Sequence, residues 1–399
     1  MIERPHYLKA IEPFIGQDVI KVLTGMRRSG KSTILNAVKQ QLEQSGVPSQ
    51  NVLSMDFESL IWEEAASGYQ SLYREVMRQA NGVSGKVYLF FDEIQEVPSW
   101  ERAIDSFRVD LDCDIYLTGS NSKLLSSELA SLLTGRYVTV EVMPFSFGET
   151  LAATEGSPHE ALPLYLTLGG LPFLSHISYA REASLSYLRD VYNSILLKDI
   201  VARRGFRNVE QLQRVLRYFV SEIGTTYSVD NIVNTLKQAG QSVSRDSVYS
   251  YLDAASDAKL LSRVKRYDVK GKAILRGEEK VYLTDVGIRE ALFGSNEARI
   301  DLVLENVVFC ELARRGYSVY VGRNGTKEID FVAERGSERI YVQVAYLLAS
   351  EKTVEREFGS FDGIPDNFSK YVVTLDPINR SQNGIRHLHL TDFLLAEEW

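Results

Sequence analysis

The chain has 399 residues, with 45 Lys and Arg against 53 Asp and Glu, so its formal net charge of −8 at pH 7 excludes a global field that would draw it onto nucleic acid or an anionic membrane. Any such contact needs a local basic patch. At 44% hydrophobic and 25% charged residues it has the composition of an ordinary globular protein, too long for one efficient core, and two or three domains are expected.

Residues 1 to about 145 alternate short apolar runs with amphipathic stretches: "DVIKVLTG", "NVLSMDF", "KVYLFFDE", "CDIYLTGSN" and "RYVTVEV". Buried runs separated by helical segments predict an α/β domain over 1–150 with a mainly parallel sheet covered on both faces. "LAATEGSPHE", residues 151–160, reads as a loop from its Gly, Ser and Pro content. The segment 151–225 is helical and broken at "GGLP", and it completes the first module. Residues 226–290 run helix, turn, helix and two strands, the order of a winged helix. The remainder, 291–399, is a second, smaller α/β unit: the helix "LVLENVVFCELARRG" followed by strands "YSVYVG", "EIDFVAE", "RIYVQVAYL" and "KYVVTL". The cysteines, Cys113 and Cys310, lie in separate regions, which predicts reduced thiols and no disulfide scaffold. "MIERPHYLKAIEPF" lacks an uninterrupted apolar core and no 18-residue apolar run occurs, so no membrane association and a cytoplasmic location are the expectation.

The chemistry starts at "GMRRSGKST". Gly25, Gly30, Lys31 and Ser32 satisfy G-x-x-x-x-G-K-[ST] after a buried strand and, with Thr33, open a helix. Glycines let backbone N–H groups curl around phosphates, the lysine reaches the β and γ oxygens, and the serine hydroxyl ligates Mg²⁺. The expected ligands are ATP and Mg²⁺. Asp92, at the end of "VYLFFDE", can hold the metal shell with Ser32, and Glu93 beside it can act as general base toward water. At the end of "DIYLTGSN", Asn121 is the first candidate for orienting water and Ser120 the second, with a plain turn as the alternative. The strand "NVLSMDF" lies between the two nucleotide motifs in the chain. Arg27 and Arg28 are expected to point away from the phosphates, toward another domain, another subunit or nucleic acid.

The series "TGMRRSGKST", "FFDEIQEVPSWE", "YLTGSNSKLLSSELASLLTGR", "MPFSFGE", "GGLP", "LLKDI", "KVYLTDVGI", "LENVVFCEL" and "EIDFV" resembles the AAA-type ATPases of the bacterial and archaeal family that pairs an AAA domain with a C-terminal DUF4143 domain. The resemblance implies an AAA fold, ATP and Mg²⁺, and leaves the biological role open. It also draws Arg136, in "LLTGRY", as an arginine finger acting in trans from a second copy of the chain, with a structural salt bridge as an equal alternative.

In the winged-helix segment Ser244, Arg245, Ser247 and Tyr249 open the second helix, and Arg263, Lys265, Arg266, Lys270, Lys272 and Arg276 form a local basic cluster for nucleic acid. Asp253 and Asp257 oppose it, and a protein-packing module is the competing reading. The terminal unit resembles the core of restriction-endonuclease-like nucleases. Asp330 and Glu305 are present, but the E-x-K triplet is replaced by Gln343-Val344-Ala345, which predicts a degenerate site kept for binding or regulation. His387 and His389 share one face of a strand that is expected at the surface. The functional reading is an Mg²⁺-dependent ATPase coupled to rearrangement of domains or of a partner, with nucleic acid, protein and a second copy all in play. A slow nucleotide-gated switch acting through protein partners is the alternative, and a metal-dependent nuclease the third.

Overall fold

Alternation of side chains along five short strands builds the first layer. The computed structural model describes residues 2–119, 135–238, 240, 242–275, 277 and 279–399, and the chain divides into two units. One comprises Met1–Met143 with Asp257–Lys259, the other Pro144–Ser256 with Leu260–Trp399.

In the first unit β1 (Ile20–Thr24), β2 (Val52–Asp56), β3 (Val87–Asp92), β4 (Cys113–Gly119) and β5 (Tyr137–Glu141) form a parallel sheet in the order β2-β3-β4-β1-β5. Ile20, Val22, Leu89 and Phe91 face one core, against α3 (Tyr69–Ala80) and α4 (Trp100–Asp110). Leu23, Phe90 and Tyr116 face the other, against α1 (Pro5–Ile11) and α2 (Lys31–Gln44). This two-sided burial explains why the strands read as continuous apolar runs. Lys21 is fully buried within β1; its ammonium donates to Asp114, which also accepts from Tyr116 Oη (2.9 Å) and Gly16 N (2.7 Å). "NVLSMDF" separates the nucleotide motifs in the chain, but in space β4 does so, while β2 takes the sheet edge with Asp56 in register with Asp92.

The second unit opens with α5 (Phe147–Thr154) and α6 (Pro158–Leu168), so the loop expected at 151–160 is confined to the few residues between two helices. Each begins with a capping box, Ser146 with Glu149 and Ser157 with Glu160, which satisfies the first-turn N–H groups. There follow α7 (Arg181–Ser194), extended by a π-helical stretch over Ile195–Val201, α8 (Val209–Ser221), α9 (Val229–Gln238) and α10 (Arg245–Asp257). β6 (Leu261–Val264) pairs antiparallel with β9 (Lys280–Leu283), whereas β7 (Arg266–Asp268) and β8 (Ala273–Ile274) leave that pair. They form the edge of a seven-stranded sheet, β14-β13-β12-β11-β10-β7-β8, built with β10 (Ser318–Asn324), β11 (Lys327–Arg335), β12 (Glu338–Val344), β13 (Ser369–Thr374) and β14 (Arg386–His389). The sheet therefore runs through the boundary expected at residue 290. α11 (Gly287–Phe293) and α12 (Ile300–Arg314) follow β9, and α12 is buried around most of its circumference.

Two of the sequence motifs meet here. The carboxylate of Asp285 accepts from Gly170 N (2.8 Å) and Gly287 N (2.9 Å), and a Cβ on Gly169 would lie 1.9 Å from its Oδ1. "GGLP" and "LTDVGI" are thus two halves of one contact.

Candidate nucleotide-binding site

The loop from β1 to α2 is shaped by close approach. Gly25 has φ 148°, and a Cβ there would lie 2.1 Å from Val142 O. Gly30 is left-handed (φ 98°) and precedes α2 without any side-chain cap, so the first-turn N–H groups are left for a ligand. Ser32 and Thr33 sit in that first turn. Lys31 is 4% exposed; its Nζ donates to Gly25 O (3.3 Å) and Met26 O (3.2 Å) and lies 3.7 Å from Glu93 Oε1. Thr24 Oγ1 and Ser29 Oγ are buried there without a hydrogen-bond partner. An uncapped helix start, a buried ammonium and two orphaned hydroxyls fit a phosphate group. Arg27 turns aside to Glu58 (3.1 Å), and Arg28 is exposed at φ 69°.

Arg4 braces the loop from behind, and its sequence context gives no sign of this. Its guanidinium, 5% exposed, donates to Ser29 O (3.1 Å) and Met143 O (2.8 Å).

Asp92 and Glu93 end β3 facing the loop. Burial raises the Asp92 carboxyl above its ordinary value, and hydrogen bonds from Ser32 and Thr118 act against that rise. Thr118, buried near the end of β4, donates to Asp92 Oδ1 and accepts from Glu93 N (2.9 Å). Glu93 is left-handed at φ 51°, and its Oε2 accepts from Gln95 Nε2. Thr118 was hidden because one hydroxyl inside "DIYLTG" looks like any β-branched strand residue.

Residues 17–151 match the family model described as an AAA domain. An uncharacterized protein of Haemophilus influenzae is 36% identical over 403 residues, covering 99% of this chain and 99% of its own. The chain belongs to the same family as that protein and carries an AAA domain. The uncharacterized protein MJ1544 of Methanocaldococcus jannaschii is 27% identical over 390 residues, covering 94% of this chain and 85% of its own. The Walker-type ATPase PABY2304 of Pyrococcus abyssi superposes with a TM-score of 0.53 at 16% identity, over 73% of this chain and 96% of that one, which shows a shared fold. Residues 159–299 match a domain of unknown function, DUF8612, where the sequence reading expected DUF4143 after the AAA domain.

Of the remaining expected residues, Asn121 and Ser120 lie outside the described residues. Arg136 precedes β5 with its carbonyl accepting from Ile20 N (3.0 Å), so it stands at the start of the strands while the phosphate loop leaves their far end. Five residues of strand, about 16 Å, separate the two ends, and Arg136 does not reach the site of its own AAA domain.

The basic cluster is divided. Arg266 is buried, 7% exposed, with its guanidinium on Glu328 (2.8 Å), which corrects its assignment to a nucleic-acid surface. Arg245 pairs with Asp230 (3.2 Å), and Arg263 pairs with Asp253 (2.6 Å) and Glu279 (2.7 Å). Lys265, Lys270 and Lys272 are exposed, and Arg276 lies outside the described residues.

Glu305, Asp330 and Gln343 do come together. Asp330 Oδ2 accepts from Val344 N (2.8 Å), and Gln343 Oε1 accepts from Asp330 N (3.3 Å). No lysine stands at Ala345, and the cation among these carboxylates is Lys280 of β9, 2.8 Å from both Glu305 and Glu328 and 4.0 Å from Asp330. Burial raises Glu305 and Asp330, against the pull of Lys280 on each. Burial also acts to raise Glu328, but Lys280 and Arg266 outweigh it and the carboxyl is lowered. Among the described residues no group of three or more His, Cys, Asp and Glu is arranged to hold a metal ion. His387, expected on a surface strand, is 1% exposed, with Nε2 2.8 Å from Thr374 Oγ1 and Nδ1 accepting from Arg380 N (2.9 Å).

Proposed function

We propose that the AAA domain binds ATP with Mg²⁺ and hydrolyses it, and that the nucleotide state is passed on as a rearrangement of domains or of a partner. The observation that carries this reading is the meeting of Lys31 and Glu93, 3.7 Å apart, beside an uncapped helix start. In this reading the loop N–H groups and Lys31 bind the β- and γ-phosphate oxygens. A phosphate oxygen replaces the carbonyls of Gly25 and Met26 as acceptor for the ammonium. Ser32 and Asp92 would hold Mg²⁺, which neutralises charge on the phosphates when bound. Thr118 fixes the Asp92 carboxylate, and Glu93 takes the proton of the attacking water.

The test is ATP turnover and nucleotide affinity measured together. Lys31→Ala should lose nucleotide binding. Glu93→Gln should bind a fluorescent ATP analogue as the parent does and lose about 10²- to 10⁴-fold in kcat. Turnover that survives Glu93→Gln contradicts the assignment.

A second reading, the slow nucleotide-gated switch acting through a protein partner, is favoured by Leu60 and Ile61. They are 83% and 82% exposed on the turn whose Glu58 pairs with Arg27 of the phosphate loop. One rapid turnover followed by slow product release would favour the switch, and sustained multiple turnover the first reading.

A further inference from the structure

Gln95 has no part in the roles assigned above. It lies two residues beyond Glu93, in the turn Ile94–Glu96, and its Nε2 donates to Glu93 Oε2. Its own Oε1 is buried and has no hydrogen-bond donor. Glu93 Oε1, by contrast, faces Lys31 Nζ at 3.7 Å. The two oxygens of the expected base are therefore shared between the loop lysine and the amide. The Glu93 backbone is fixed as well, at φ 51° with its N–H on Thr118 Oγ1 (2.9 Å).

A buried carbonyl oxygen is seldom left without a donor, and one left beside a reactive carboxylate suits a ligand that donates. Thr24 Oγ1, at the end of β1, and Ser29 Oγ, in the loop that follows, are also orphaned. Water has the pattern the pair requires: one proton for the carboxylate and a second for the amide oxygen.

We propose that Gln95 orients the attacking water of the AAA domain, with Oε1 accepting from the water and Nε2 fixing the Glu93 carboxylate that receives its proton. The inference rests on the ATPase reading given above. In the step, the water oxygen forms a bond to the γ-phosphorus as the bond from that phosphorus to the ADP oxygen breaks. One water proton passes to Glu93, and the other remains on the phosphate product, hydrogen-bonded to Gln95 Oε1.

The experiment uses the full chain and compares Gln95→Met, which keeps the length and loses the amide, with the parent and with Glu93→Gln. Gln95→Met should lower kcat by about 10- to 100-fold while KM, affinity for a fluorescent ATP analogue and melting temperature stay as in the parent. A kcat within about twofold of the parent overturns the inference, and so does a loss of kcat matched by an equal loss of nucleotide affinity, which marks a structural role. If Gln95→Met does not fold, Gln95→Ala is read by the same criteria. Parent-like turnover by Glu93→Gln removes the ATPase assignment itself. An inactive Glu93→Gln beside a parent-like Gln95→Met removes only the role of Gln95.

Discussion

Gly25 leaves no room for a side chain, because its Cβ would sit 2.1 Å from Val142 O at a φ of 148° that L residues avoid. Gly25→Ala should therefore cost more than about 2 kcal/mol in chemical unfolding, and it should weaken nucleotide binding by displacing the loop. His387 makes a prediction with a sign. Burial, joined by Arg380 and His389 and opposed by Asp376, holds its pKa below the usual 6.5. The unfolded chain thus binds the proton first, so the contribution of His387 to stability is complete above about pH 6.5 and is lost as pH falls through the folded value. The stability advantage of the parent over His387→Gln should shrink between about pH 7.5 and 5.5, measured by denaturant midpoints. Lys31, Asp92 and Glu93 were legible because phosphate chemistry demands contiguous residue types after a strand. Arg4, Thr118, Gln95 and Lys280 were not, since each is an ordinary residue in its own stretch and becomes specific only through a neighbour distant in the chain or across a turn.

At the scale of elements, the glycine turn before Pro172 and the end of β9 are joined by one carboxylate. Burial pushes Asp285 up to about 6 while two backbone N–H groups stabilise its charged form. Asp285→Ala strands both donors, and a loss of about 2–4 kcal/mol is expected in denaturant unfolding. Lys280 has a comparable task among Glu305, Glu328 and Asp330. Lys280→Met leaves the enclosed carboxylates of Glu305 and Asp330 without their cation and should cost about 3–5 kcal/mol, whereas pairing it with Glu305→Gln should recover part of the loss. The strands and most helices were readable from apolar spacing. The end of α5 and the start of α6 were not, although Ser157 with Glu160 spells a capping box, because Gly156 and Pro158 outweighed it in the reading of 151–160 as a loop. The fate of β7 and β8 was illegible for another reason: a winged-helix order of elements says nothing about which sheet a hairpin joins.

For the whole molecule, the expected basic cluster reduces among the described residues to Lys265, Lys270 and Lys272 once Arg245, Arg263 and Arg266 are assigned to carboxylates. Binding of duplex DNA through this hairpin should be weak and salt-sensitive. Neutralising all three lysines should lower the salt slope by about 3 in a titration from about 50 to 200 mM, and no binding at the low end would remove nucleic acid from the expected partners. Arg136 lies too far from the loop of its own domain to serve it. An ATPase rate per chain that climbs with protein concentration, and that Arg136→Ala flattens, is the expected result if a second copy supplies it.

The sheet that passes residue 290 bears on how this protein can be taken apart. β7 lies parallel to β10, with Val321 in register with Arg266. A fragment ending at 290 would carry an unpaired strand edge, and one starting there would lack the outer strands of its own sheet. The second unit is therefore not a string of interchangeable modules. A piece meant for transplanting, whether in a laboratory fusion or in gene rearrangement, has to keep β7 and β8 with the strands that follow residue 290.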